Sequence, residues 1–172
     1  MSFPLSNKTP IYGGGTGLKI KQNKSILSGD SCNTEAWNIP NHIGTHIDSP
    51  RHFFKEGNTI DKYPPEFWIS KNIKIIDLPI KKARWILPED LDGKLSLKTD
   101  CILIRTGFQQ RGNKEAYFKD NPGLDPELGK WLRSNYPTVK FVGVDFISIS
   151  RITDRERGRT AHKEFLRHSP QG

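Results

Sequence analysis

The eleven residues His42-Ile-Gly-Thr-His46-Ile-Asp48-Ser-Pro-Arg-His52 hold three of the five histidines of the chain together with an aspartate. Imidazole and carboxylate are the donors that divalent first-row metals such as zinc and manganese take. A metal held there would activate water and polarise a carbonyl, which is the chemistry of hydrolysis. The same residue types, without a metal, could move protons. Three histidines and an aspartate in so short a stretch are costly to keep unless a metal or a reaction uses them.

The backbone of this stretch decides whether its donors can meet. A helix would place His42 and His46 one turn apart, but Ile43, Gly44, Thr45 and Ile47 are poor helix formers, and Pro50 would stop a helix soon after. An extended backbone puts His42, Gly44, His46 and Asp48 on one face and Ile43, Thr45 and Ile47 on the other, where they would pack into the core. At about 3.3 Å per residue, a straight strand would hold the two histidine backbones roughly 13 Å apart. The chain must therefore bend between them, and Gly44 is the residue that tolerates a bulge or kink. Asp48 reaches the same ion easily. Pro50 then turns the chain so that His52 returns, either as a ligand or as a general base.

The elements that must position this stretch are a mixture of strands and helices. Ile73–Leu78, Cys101–Arg105 and Val139–Val144 are short apolar runs bounded by turn or charged residues, as buried strands are. Asp125-Pro126-Glu127 opens a helix with a capping residue, a proline and an acid facing the dipole, and Leu128, Trp131 and Leu132 form its buried stripe. Thr153-Asp-Arg-Glu156 reads as a capping box that starts a last helix running to about Leu166. On that helix Gly158, His162, Phe165 and Leu166 share a face, so His162 points inward, with the glycine leaving room for a ligand. His168 lies in a polar tail. This order, β-rich first and mixed later, is that of an α/β or α+β domain.

Composition narrows the remaining classes. A chain of 172 residues with 34% hydrophobic residues, four Trp and nine Phe suits one domain with a single core. Cys32 and Cys101 make neither a disulfide framework nor a metal pair, which points to a reducing compartment. The first residues lack the apolar segment of a signal peptide, and no run approaches membrane-spanning length, so a soluble cytoplasmic protein is expected. The net charge of +8 raises nucleic acid as a partner. Yet the basic residues are scattered, and the densest segment, 151–167, also carries Asp154, Glu156 and Glu164; it reads as a solvated helix face. The run Gly13-Gly14-Gly15 lacks the Lys-Ser/Thr of a phosphate loop. A small-molecule substrate, with neither nucleic acid nor membrane, is the expectation.

His42 to Phe53 resembles the signature of the cyclase family of metal-dependent hydrolases, which includes the bacterial kynurenine formamidases: His-x-Gly-Thr-His-x-Asp-x-Pro-x-His-Phe, matched at every fixed position. Other pieces resemble the family in the same order: Thr9-Pro-Ile-Tyr12, Lys55-Glu-Gly57-Asn-Thr-Ile60, Ile104-Arg-Thr-Gly107, Gly143-Val-Asp145 followed by Ser148, and Ala161-His162. The resemblance implies a single domain over residues 1–172, an α/β fold with a β-barrel-like mixed sheet and flanking helices (a swivelling β/β/α-like arrangement), and homo-oligomers, dimers or larger. It implies one or two divalent ions, zinc or manganese. Carried onto this chain, His42, His46 and Asp48 would bind the first metal, with Asp48 able to bridge to a second. His162 would belong to the second position, and His52 would be a ligand or the catalytic acid/base. Trp37 and Phe53 could wall an aromatic acyl group. The implied activity is hydrolysis of an amide, an arylformamide-like formamide or a lactone. Family members continue past this histidine into a strand bearing a glutamate that bridges the metals. This sequence is C-terminally short of it, so the alternative expectation is a truncated, catalytically impaired metal-binding or interaction subunit.

Overall fold

In the computed structural model, which describes residues 4–111 and 115–167, the chain divides into two units, residues 1–47 and 48–172. Within the first, strands β1 (Lys19–Lys24) and β2 (Thr34–Asn38) form an antiparallel hairpin in which Ile20 faces Trp37 and the register slips between Gln22 and Lys24. The connection is closed by side chains: Asp30 accepts from the Ser25 amide at 2.7 Å, and Asn33 accepts from the Ile26 amide at 2.9 Å. Sequence reading leaves this segment as turns, because Lys-Ile-Lys-Gln-Asn-Lys offers one apolar residue and no buried face.

The second unit holds β3 (Ile73–Asp77), β4 (Trp85–Ile86), β5 (Cys101–Arg105), α1 (Glu115–Lys119), β6 (Gly123–Leu124), α2 (Pro126–Asn135), β7 (Phe141–Val144) and α3 (Arg155–Leu166). Its main sheet is parallel with order β3-β5-β7, and β4 pairs in parallel with β6. The three expected apolar runs are thus the three strands of one sheet. Ile76, Ile86, Ile102, Ile104, Phe108, Leu124, Leu128 and Leu132 are buried together between the sheet strands and α2. At the carboxyl ends of β5 and β7, the Asp145 carboxylate accepts from the amides of Thr106 at 3.0 Å and Gly107 at 2.7 Å, tying one strand end to the next turn.

Mixed α/β architecture with flanking helices agrees with the expectation, whereas no closed barrel forms among the described residues. Three separate sheets form instead. The reason lies in β4 and β6: each is two residues long, with Pro88 soon after one and Pro122 and Pro126 on either side of the other. Proline has no amide to donate, so these ladders cannot extend to join the neighbouring sheet. Among the described residues, no helix is long and apolar enough to cross a membrane.

The starts of α2 and α3 follow from their caps. Asp125 accepts from the Glu127 amide at 2.9 Å, as the sequence predicts, and its carboxylate, 2% exposed, also pairs with Arg157 of α3. That ion pair links the start of α2 to α3. The cap of α3 differs from the expected box by one residue. Asp154, not Thr153, is the capping residue and accepts from the Arg157 amide at 3.2 Å, so Glu156 lies too early in the helix to reach back to a capping amide.

Candidate metal centre

Gly44 adopts φ +63°, a left-handed conformation open to glycine at little cost. The bend is the one the donor spacing requires. In the first unit it brings the His42 and His46 rings to a centroid separation of 5.2 Å, edge to face. The same turn lets His46 Nδ1 approach Gly44 O at 2.9 Å. A carbonyl only accepts, so Nδ1 is the donor and the neutral ring carries its lone pair on Nε2. The expected alternation of faces does not survive the bend. Ile43 is buried, but Thr45 and Ile47 are exposed, because reversing the backbone at Gly44 breaks the period-two pattern.

In the second unit, Asp48, Pro50 and α3 bring together three more donors. Pro50 begins a 3-10 turn over Pro50–His52, in which the His52 amide donates to Ser49 O at 2.9 Å and the Phe54 amide to Pro50 O at 2.9 Å. The turn projects His52 back toward Asp48. His162 arrives from α3, more than a hundred residues later. One ligand atom from each of Asp48, His52 and His162 lies within 4.8 Å of the other two. Asp48 Oδ2 is 3.9 Å from His162 Nε2. The surroundings are graded: His162 is buried, Asp48 half-buried and His52 exposed.

Phe53 packs its ring on His162 at 4.7 Å and 19°, and meets His52 edge to face at 4.6 Å. The role is therefore partly that of a wall, as sequence reading allows, but a wall against the histidines. Trp37 lies instead on β2 of the hairpin, its indole donating to Glu35 at 2.8 Å. Behind His162, Nδ1 stands 2.9 Å from Gly158 O and 3.1 Å from Ser150 Oγ. The space over Gly158 is thus filled by Ser150 rather than left for a ligand.

A carboxylate and two imidazoles from two separate places in the chain, the motif and α3, are a donor set that divalent zinc or manganese accepts, so these residues fit a metal. Ser150, whose hydroxyl meets His162, and Asn121, which bonds the Ser150 carbonyl, are invisible to sequence reasoning because these approaches are long-range. His168 lies outside the described residues.

Comparison with known proteins gives the same frame. A family model described as putative cyclase matches residues 1–151. A Haemophilus influenzae protein named only as uncharacterized is 34% identical over 112 residues, covering 63% of this chain and 79% of its own length. A Bacillus cereus kynurenine formamidase is 24% identical over 168 residues, covering 98% of this chain and 76% of its own. Among solved structures, one described as a potential metal-dependent hydrolase with cyclase activity superposes with a TM-score of 0.68 at 20% identity, over 96% of this chain and 74% of that one. At that identity the superposition speaks for the fold.

Proposed function

The chain belongs to the putative cyclase family, and from that membership we propose that it is a metal-dependent hydrolase of amide, formamide or lactone bonds, with arylformamides as the first substrate class. The observation that carries the reading is the convergence of Asp48, His52 and His162 within 4.8 Å. Asp48 and His162 would hold the ion, and the same sequence motif carries two further imidazoles, His42 and His46. A divalent ion of the zinc or manganese type would supply Lewis-acid polarisation of a carbonyl and lower the pKa of water toward neutrality.

The residues of the chain do the rest. Asp48 would bring a negative charge that partly neutralises a bound cation. His162, buried and backed by Gly158 O, presents Nε2 toward Asp48. His52 is exposed at the rim of the cluster. There it can take a proton from water and return it to the leaving nitrogen or oxygen, serving as base and then acid. Phe53 lies on one face of His162 and shields that ring from solvent. An aromatic acyl group finds a compatible surface against such a ring.

Hydrolysis of an arylformamide, followed by loss of substrate absorbance with and without chelator, tests the reading. Turnover that chelator abolishes and added zinc or manganese restores is expected. Turnover indifferent to chelator would overturn the metal-dependent mechanism.

A further inference from the structure

His162 is held from behind as well as aimed forward. Its Nδ1 lies 2.9 Å from Gly158 O and 3.1 Å from Ser150 Oγ. Gly158 O can only accept, so Nδ1 carries the hydrogen and Ser150 Oγ receives the second arm of the same N–H. The lone pair of the neutral ring then lies on Nε2, the nitrogen 3.9 Å from Asp48 Oδ2. A hydroxyl that instead donated to Nδ1 would put the lone pair on the wrong side of the ring.

Ser150 is itself fixed by two features far apart in sequence. It is 6% exposed. Asn121, 1% exposed, turns its Nδ2 toward three carbonyls, those of Ser148 at 3.0 Å, Ser150 at 2.7 Å and Pro122 at 2.6 Å. Three acceptors on one side set which way that amide points, and through it the segment 148–150. From the other side α3 presses closely: a Cβ on Gly158 would overlap the Ser150 hydroxyl and come within 2.9 Å of its Cα. The glycine lets helix and loop approach near enough for the hydroxyl to reach the imidazole.

We propose that Ser150, held by Asn121 and admitted by Gly158, is a positioning residue that fixes the ring orientation of His162 in the tautomer that Gly158 O sets. It touches no substrate, and acts only through the histidine. Its purpose rests on the metal-centre reading, since a fixed ring orientation matters where Nε2 must bind a cation.

The test is long-range proton–nitrogen NMR of His162 in metal-free protein at about pH 8, where histidine is neutral, paired with zinc competition against a chromophoric chelator. Wild-type protein is expected to show Nδ1–H alone. Ser150→Ala should keep Nδ1–H, which Gly158 O still requires, but weaken zinc binding about 10- to 100-fold, the usual effect of losing an outer partner of a metal-binding histidine. Wild-type protein with the hydrogen on Nε2 would overturn the proposal without any variant. So would a Ser150→Ala protein that melts earlier yet keeps wild-type zinc affinity, since that is a purely structural role. Nδ1–H in wild-type protein that takes up no zinc would sustain the clamp and overturn the metal reading.

Discussion

His52 and Asp48 stand in the same cluster but differ in what their removal should take away. Asp48 is half-buried beside a buried histidine, and its charge balances any cation there. His52 is exposed, on a turn whose backbone bonds do not involve its ring. His52→Ala is therefore expected to lower kcat about 10²- to 10⁴-fold, the range for losing a general acid–base, while most of the metal stays bound. Equal loss of metal and rate, measured on the same preparation, would make His52 a ligand instead. This is the alternative that sequence alone leaves open. The Gly44 bend, by contrast, is legible in the sequence itself, because two imidazoles four residues apart on extended backbone cannot meet without one.

At the scale of elements, the close packing of α3 on segment 148–151 yields a prediction whose sign opposes helix propensity. Alanine in an exposed helix interior is about 1 kcal/mol better than glycine. At Gly158 its methyl would overlap the Ser150 side chain and press on backbone. Gly158→Ala should therefore destabilise by about 1–3 kcal/mol, as overpacking does, measured by urea unfolding. A stabilised variant would mean that the loop yields freely. Legibility at this scale follows the strength of local signals. Cys101–Arg105 and the Asp125 cap are read to the residue, since each is complete in a few consecutive positions. The two-residue strands β4 and β6 have no period to read, and the exposed hairpin has no apolar face. The cap of α3 reads one residue early in the sequence because Thr153 and Asp154 are both good capping residues, and only backbone geometry separates them.

At the scale of the whole molecule, one face of the parallel sheet stands out. Ile73 and Ile75 of β3 and Leu103 of β5, with Ile75 and Leu103 in register, are 55%, 53% and 39% exposed. Parallel sheets are ordinarily covered on both faces. The homo-oligomer implied by the family resemblance would cover these residues with a second copy. Sedimentation should accordingly show concentration-dependent association that Ile75→Lys abolishes; a monomer at every concentration would contradict it. Short apolar runs cannot decide whether a barrel closes, because closure depends on ladder lengths that the prolines around β4 and β6 cut short. Nor can sequence show that His162 shares a cluster with Asp48 and His52; only the motif resemblance joins them, and the fold brings them within 4.8 Å.

The most direct test of that cluster is elemental analysis of chelator-free protein beside its Asp48→Ala variant, after both are offered zinc and manganese. At least about one tightly held ion per wild-type chain is predicted, falling several-fold in the variant, since a charged ligand is gone. A wild-type chain that holds no ion after loading, or a variant that holds as much, would contradict the account.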